Sequence, residues 1–378
     1  MIVIATLRNE WLRGNVKGLA GRSRPRGSAA TNLEEKHMKQ QLCIAFGLAL
    51  VASPALAGGH PPAATMFTMT PLVSDQAGMA PNVDPALVNP WGLSQFPNNP
   101  LWVSDNHTDL STLYDPNSGA KINLNVNIPM GAPTGTVAIP PGNGYVVTEG
   151  ANSGEALFLF DSESGAITGW NPSVDGTNAI VAHDASAAGS VYKGLAYDPA
   201  SNHIFAADFH NNKVEIYDNT FTRIKAFTDK NLPKRYAPFD VAVFNGKLYV
   251  AFALREKHGD DEVDGAGLGY VDIFTTKGKF VKTLIANGPL NAPWGMVIAP
   301  SNFGSFAGDL LVGNFGDGHI NAFDASTGAL LGTLHATKHK EIVIDGLWAL
   351  DDTGNGSITF SAGPGGETHG LIGLLTPK

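Results

Sequence analysis

One phrase recurs six times along this chain, and a repeat of that period constrains the fold more than any local pattern does. It reads NPWGLS at residues 89–94, PTGTVAIP at 133–140, YKGLAYDP at 192–199, APFDVAVF at 237–244, APWGMVIAP at 292–300 and IDGLWALD at 344–351. With Gly92, Gly135, Gly194, Asp240, Gly295 and Gly346 taken as equivalent, the copies lie 43, 59, 46, 55 and 51 residues apart. Intervals of that length suit propeller blades. A second phrase follows each opening: LWVSDN, YVVTEGAN, IFAADFHNN, LYVAFALR, LLVGNFGDG and ITFSAGPGG. A third closes each unit: STLYDPNSG, ALFLFDSESG, KVEIYDNTF, GYVDIFTTKG, HINAFDASTG and LIGLLTP. Short runs rich in β-branched and aromatic residues, bounded by Gly, Asn, Asp and Pro, read as strands and turns.

An outer strand such as RIKAFTD (223–229) or FVKTLIA (280–286) completes a blade of four. The expected fold is therefore all-β, a six-bladed β-propeller of four-stranded blades. The last unit lacks a fourth strand after residue 375, and FTMTPLVSD (67–75) is the candidate to supply it. Pairing of this N-terminal strand with the C-terminal blade closes the ring and hides its open edges. The alternatives are a loose N-terminal arm, or a seven-bladed ring for which residues 58–88 are too few.

Residues 38–57, MKQQLCIAFGLALVASPALA, have the charged start, apolar run and small-residue end of a secretion signal, with cleavage expected after Ala57. The roughly ten-residue apolar run is too short to span a bilayer of about 30 Å. Residues 1–37 read as an upstream extension from a start called too early, leaving 58–378 as a single propeller domain. Eight of 25 basic and three of 34 acidic residues lie in 1–57, which leaves 17 against 31 and a net charge near −14. Such a balance argues against a nucleic-acid partner. The single cysteine, Cys43, sits inside the signal, so the mature chain has no disulfide. The expectation is a periplasmic or extracellular monomer with no membrane span.

The unit KGLAYDPASNHIFAADFHNNKVEIYD (193–218) resembles the NHL-type propeller repeat. LVSDQAGMAPNVDPALVNPWGLS (72–94), together with the later PWGM unit, is similar to an uncharacterised family of exported bacterial proteins. The resemblance covers residues 65–377 and implies a propeller and export, with no activity to transfer. More distantly, the same superfamily includes calcium-dependent lactonases and phosphotriesterases, whose Glu, Asn and Asp metal ligands sit at the axial pore.

Residues repeated at the starts of first strands, and in turns between second and third strands, converge at the pore mouth. Near the first strands stand Asn89, Asp240 and Asp345, with Trp91, Trp294 and Trp348 expected as wedges between blades. The second-strand turns offer Asp105, Asn106 and His107; Glu149 and Asn152; Asp208, His210 and Asn211; Asn314 and Asp317; Glu367 and His369. Hard oxygen donors suit Ca²⁺, so Asn106, Glu149, Asp208, Asp240, Asn314 and Asp345 form the candidate metal set. His107, His210 and His369 are the candidate general bases, because imidazole titrates near neutrality. An acidic insertion in the fourth unit, REKHGDDEVDGAGLG (255–269), is expected to hang over the pore mouth as a lid or specificity loop.

No nucleophile elbow, haem motif or dinucleotide fingerprint occurs. The leading expectation is a binding module that takes a small molecule, glycan or envelope protein at the pore face. A calcium-dependent lactone or ester hydrolase, or a lyase acting on polysaccharide fragments, stands as the alternative.

Overall fold

The computed structural model of the protein describes residues 65–378. The extension and signal expected at 1–37 and 38–57 fall outside the described residues, as does Cys43. Six sheets make up a β-propeller, each a blade of four antiparallel strands, and in the last blade a two-residue strand, Asn82–Val83, adds in parallel to the outer edge. Their innermost strands are Pro90–Ser94, Pro133–Ala138, Tyr192–Asp198, Tyr236–Phe244, Pro293–Ile298 and Leu347–Asp352, and the blades are numbered one to six in that order. Phe67–Ser74 pairs with Leu371–Pro377 as the fourth strand of blade six, in register from Phe67 opposite Pro377 to Ser74 opposite Leu371. The expected ring closure is therefore present. No helix among the described residues is long and apolar enough to cross a membrane.

Six apolar clusters lie between successive blades, and a seventh lies on the axis. Each innermost strand carries a bulge at the same place, where it faces its second strand. The extra residues re-aim side chains at the axis. The bulges superimpose two rings. The first is Trp91, Thr134, Lys193, Phe239, Trp294 and Trp348; the second is Gly92, Gly135, Gly194, Asp240, Gly295 and Ala349. Glycine is required in the second ring by close approach: a Cβ on Gly135 would stand 2.3 Å from the backbone N of Leu195, and one on Gly295 would stand 2.4 Å from the carbonyl of Trp348.

The sixth unit and blade two depart from the expected register. In the sixth unit the bulge pairs Trp348 and Ala349 with Ser361, so Ala349 is the counterpart of Gly92. Gly346 lies in the turn before the strand, in left-handed backbone at φ 65°. Asp345 consequently has no equivalence to Asp240. In blade two, YVVTEGAN is not the second strand. Val146–Glu149 and Asn152–Glu155 form a separate hairpin, and the second and third strands are Phe158–Ser162 and Ala166–Trp170. The cause is a turn that serves in two places. Asp-x-x-Ser/Thr-Gly closes the third strand at Asp115 and Asp324, whose carboxylates each accept two backbone N–H groups. The same wording at 161–165 closes a second strand instead.

Candidate functional site

The axis is plugged. Trp91 stacks on Trp348 with ring centroids 3.5 Å apart, Trp294 meets both edge-on, and Phe209, Phe239 and Phe315 complete the cluster. The tryptophans expected between blades instead pack against one another at the centre, because the bulge turns them inward. Trp348 Nε1 donates to Asn89 Oδ1 at 2.9 Å, and Trp294 Nε1 donates to the Lys193 carbonyl at 2.8 Å.

Lys193 stands in the same ring and is 2% exposed. Its ammonium lies 5.3, 5.6 and 5.9 Å from the ring centroids of Trp91, Phe209 and Phe239. It pairs with Glu163 at 2.9 Å, Asp261 at 3.7 Å and Glu262 at 3.9 Å. A buried cation persists only with such compensation. Burial pulls its pKa down, but Glu163 and Glu262 overcome that, and the net shift is upward. Burial pushes Glu262 up to about 7 despite Lys193.

A network of amides and carboxylates extends from this pair. Asn106 donates to Glu163 at 3.0 Å, and Asn89 donates to Glu367 at 2.7 Å and to Asn106 Oδ1 at 3.4 Å. His107 Nε2 lies 3.4 Å from the Asn89 amide. Burial raises the pKa of Glu367, while Asn89, Lys193 and His107 oppose the rise. Glu367 holds left-handed backbone at φ 65° and Asn89 at φ 49°. Ala132 and Ala292 share that conformation where their chains enter the blade, so it belongs to the repeat at Asn89. At Glu367 it is local, and local strain of this kind gathers where a side chain is held for a purpose.

The expected residues separate. Of the three histidines only His107 reaches the centre. His210 Nδ1 pairs with Asp260 of the insertion at 2.5 Å, and His369 Nδ1 pairs with Asp75 at 2.8 Å beside the ring closure. Of the six candidate metal ligands only Asn106 joins the network. Glu149 sits exposed at the end of its hairpin, which leaves the blade from the opposite face. Asp208 accepts from the Val191 and Asn211 amides and pairs with Lys213. Asn314 donates to the Pro289 carbonyl and Asp317, and Asp345 accepts from the Gly365 amide. Asp240 lies in the second ring, below the plug. The six candidate metal ligands are thus not gathered at one point, and among the described residues no group of three His, Cys, Asp or Glu has the geometry to hold a metal ion.

Two members of the network, Glu163 and Lys193, are not among the residues expected from the sequence. Glu163 was hidden by the misplaced strand of blade two. Lys193 carried a signal, a cation in a column otherwise aromatic or hydroxylic, which the unit alignment exposes. The insertion does cover the mouth, since Asp261 and Glu262 reach Lys193.

No family model matches the chain. An uncharacterised protein designated L690, from Acanthamoeba polyphaga mimivirus, is 35% identical over 320 residues, covering 80% of this chain and 84% of its own. Another from that virus, R648, is 33% identical over 328 residues, covering 83% and 81%. The expected likeness was to exported bacterial proteins, whereas these relatives are from a mimivirus. Among solved structures a streptogramin B lyase aligns with TM-score 0.49 and 11% identity over 82% of this chain and 98% of its own. A chain of a nidogen/laminin complex aligns with TM-score 0.47 and 14% identity over 76% and 97%.

Proposed function

Since this chain belongs to the family of the uncharacterised mimivirus proteins L690 and R648, we propose a function from its own pore mouth: it is a binding propeller that takes a hydroxyl-rich ligand of the glycan type beside Glu367, Asn106, Glu163 and His107. One observation carries the reading. Partly exposed carboxylates, an amide and an imidazole are gathered over an aromatic plug and held in place by a buried lysine. Carboxylates accept from sugar hydroxyls and an amide both donates and accepts, so the set matches a polyol better than an anion. The fixed positions of Asn89 and Lys193 pre-organise it, which reduces the entropy lost on binding.

The test is a glycan array probed with the full chain, followed by calorimetry on the strongest hit. Glu367→Gln combined with Asn106→Ala should weaken that binding at least about tenfold, or roughly 1.4 kcal/mol. No glycan retained above background, or equal affinity in the double variant, overturns the reading.

A further inference from the structure

The opposite end of the axis holds a cavity of about 440 Å³, lined by the lower halves of the innermost strands. That volume is in the range of small-molecule sites. Leu93, Leu195, Val241, Met296 and Leu350 give it apolar walls, and Trp294 closes part of its inner end. Three carboxyl groups line it, those of Asp240, Asp351 and Asp352, and no Lys, Arg or His does.

Asp240 is the unusual member. It is 8% exposed and is the only side chain longer than a methyl group in the ring of Gly92, Gly135, Gly194, Gly295 and Ala349. Its carboxyl has the backbone amide of Val241 as a hydrogen-bonding neighbour and Asp161 as a like-charged one, and no cation beside it. A buried carboxyl left this way is costly unless a partner arrives. An anion would be repelled by three carboxyls. A neutral apolar molecule would leave Asp240 without a charge partner, and a bare metal ion would leave the apolar walls uncovered.

We infer that this cavity is a binding site for a small organic cation, an ammonium group on an apolar body. The ammonium lies against Asp240 and Asp351, and the body against Leu93, Val241 and Met296. The inference is independent of the pore-mouth reading, because the indole plug lies between the two sites.

Burial and then Asp161 raise the pKa of Asp240, and burial followed by Asp352 raises that of Asp351 to about 7. Asp351 therefore holds a proton in the free protein below about pH 7, Asp240 keeps its proton above the usual carboxylate range, and a bound cation favours the ionised form of each. Affinity should rise with pH, with proton release on binding. Asp161, from blade two, and Asp352 face the same groups, and both act in the same direction.

The probes are benzyltrimethylammonium and phenethylamine, with benzyl alcohol as the neutral control, titrated calorimetrically into the full chain at pH 5.5 and pH 8. The expected result is saturable binding of both cations, at least fivefold tighter at pH 8, and no saturable binding of the alcohol. Asp240→Asn should weaken it at least tenfold with the melting temperature of the free protein kept or raised, and Glu367→Gln should leave it unchanged. Failure of both cations to bind at millimolar concentration overturns the inference, as does equal binding of the alcohol or full affinity in Asp240→Asn.

Discussion

Lys193 occupies the position at which three other blades place tryptophan, and it puts a charge into a ring that is otherwise aromatic apart from Thr134. Its methylene stem still packs as an apolar residue would, while its head recruits Glu163 and Glu262. The repeat made the position legible, but only once the bulge fixed the register. A strand pattern cannot show which of two adjacent residues points inward. A different buried charge yields a stability prediction. Asp272 is fully buried, with Asp229 as a like-charged neighbour, and burial raises its pKa to about 7 from an ordinary 3.8. A carboxyl raised on folding adds stability that is complete below about pH 4 and is lost as pH rises through 7. Asp272→Asn should therefore raise the melting temperature by about 2–5 °C at pH 8 and change it little at pH 4, as read by thermal denaturation. An equal effect at both pH values would mean that the carboxyl is ionised throughout.

The insertion of blade four behaves as an element in its own right. It extends the blade as a folded loop, with Arg255 bridged to Glu262 and the Val263 amide donating to the Leu254 carbonyl at 2.6 Å. Asp260 fastens it to blade three through His210 at 2.5 Å and pairs within the loop with Arg255 at 3.6 Å, and Arg255 adds a second tie by donating to the His210 carbonyl at 2.7 Å. The loop was legible as a lid from its composition and its place between second and third strands. Its fastening to His210 was not, since the two lie 50 residues apart. Replacing residues 257–263 with a short Gly-Ser link should expose Lys193 and speed its acetylation by acetic anhydride at least about fivefold, measured by peptide mass spectrometry. An unchanged rate would show that the lid does not control access. The hairpin of blade two was not legible, because Val146–Glu149 has the composition of a blade strand yet pairs only with Asn152–Glu155.

For the whole molecule, sixfold repetition and a strand count short by one were enough to place Phe67–Ser74 in the last blade, because an open edge there has no other partner. The seam ends with the Lys378 amide donating to the Met66 carbonyl at 2.8 Å, which leaves the two strand ends side by side. A circular permutant that starts at Met79 and joins Lys378 to residues 65–78 through a short turn should keep the melting temperature within a few degrees. Simple deletion of residues 65–78 should lower it by about 10 °C or abolish folding, because Phe67, Leu72 and Val73 leave two inter-blade clusters. Equal stability of the deletion would place the strand outside the cooperative unit. The stacked indoles have a consequence at this scale as well. They act as a septum: solute entering from one face of the ring has no passage to the other, so the ring is two back-to-back vessels and not a conduit. Each vessel is free to acquire or lose a ligand through changes in its own loops, while the wall between them stays fixed by the fold.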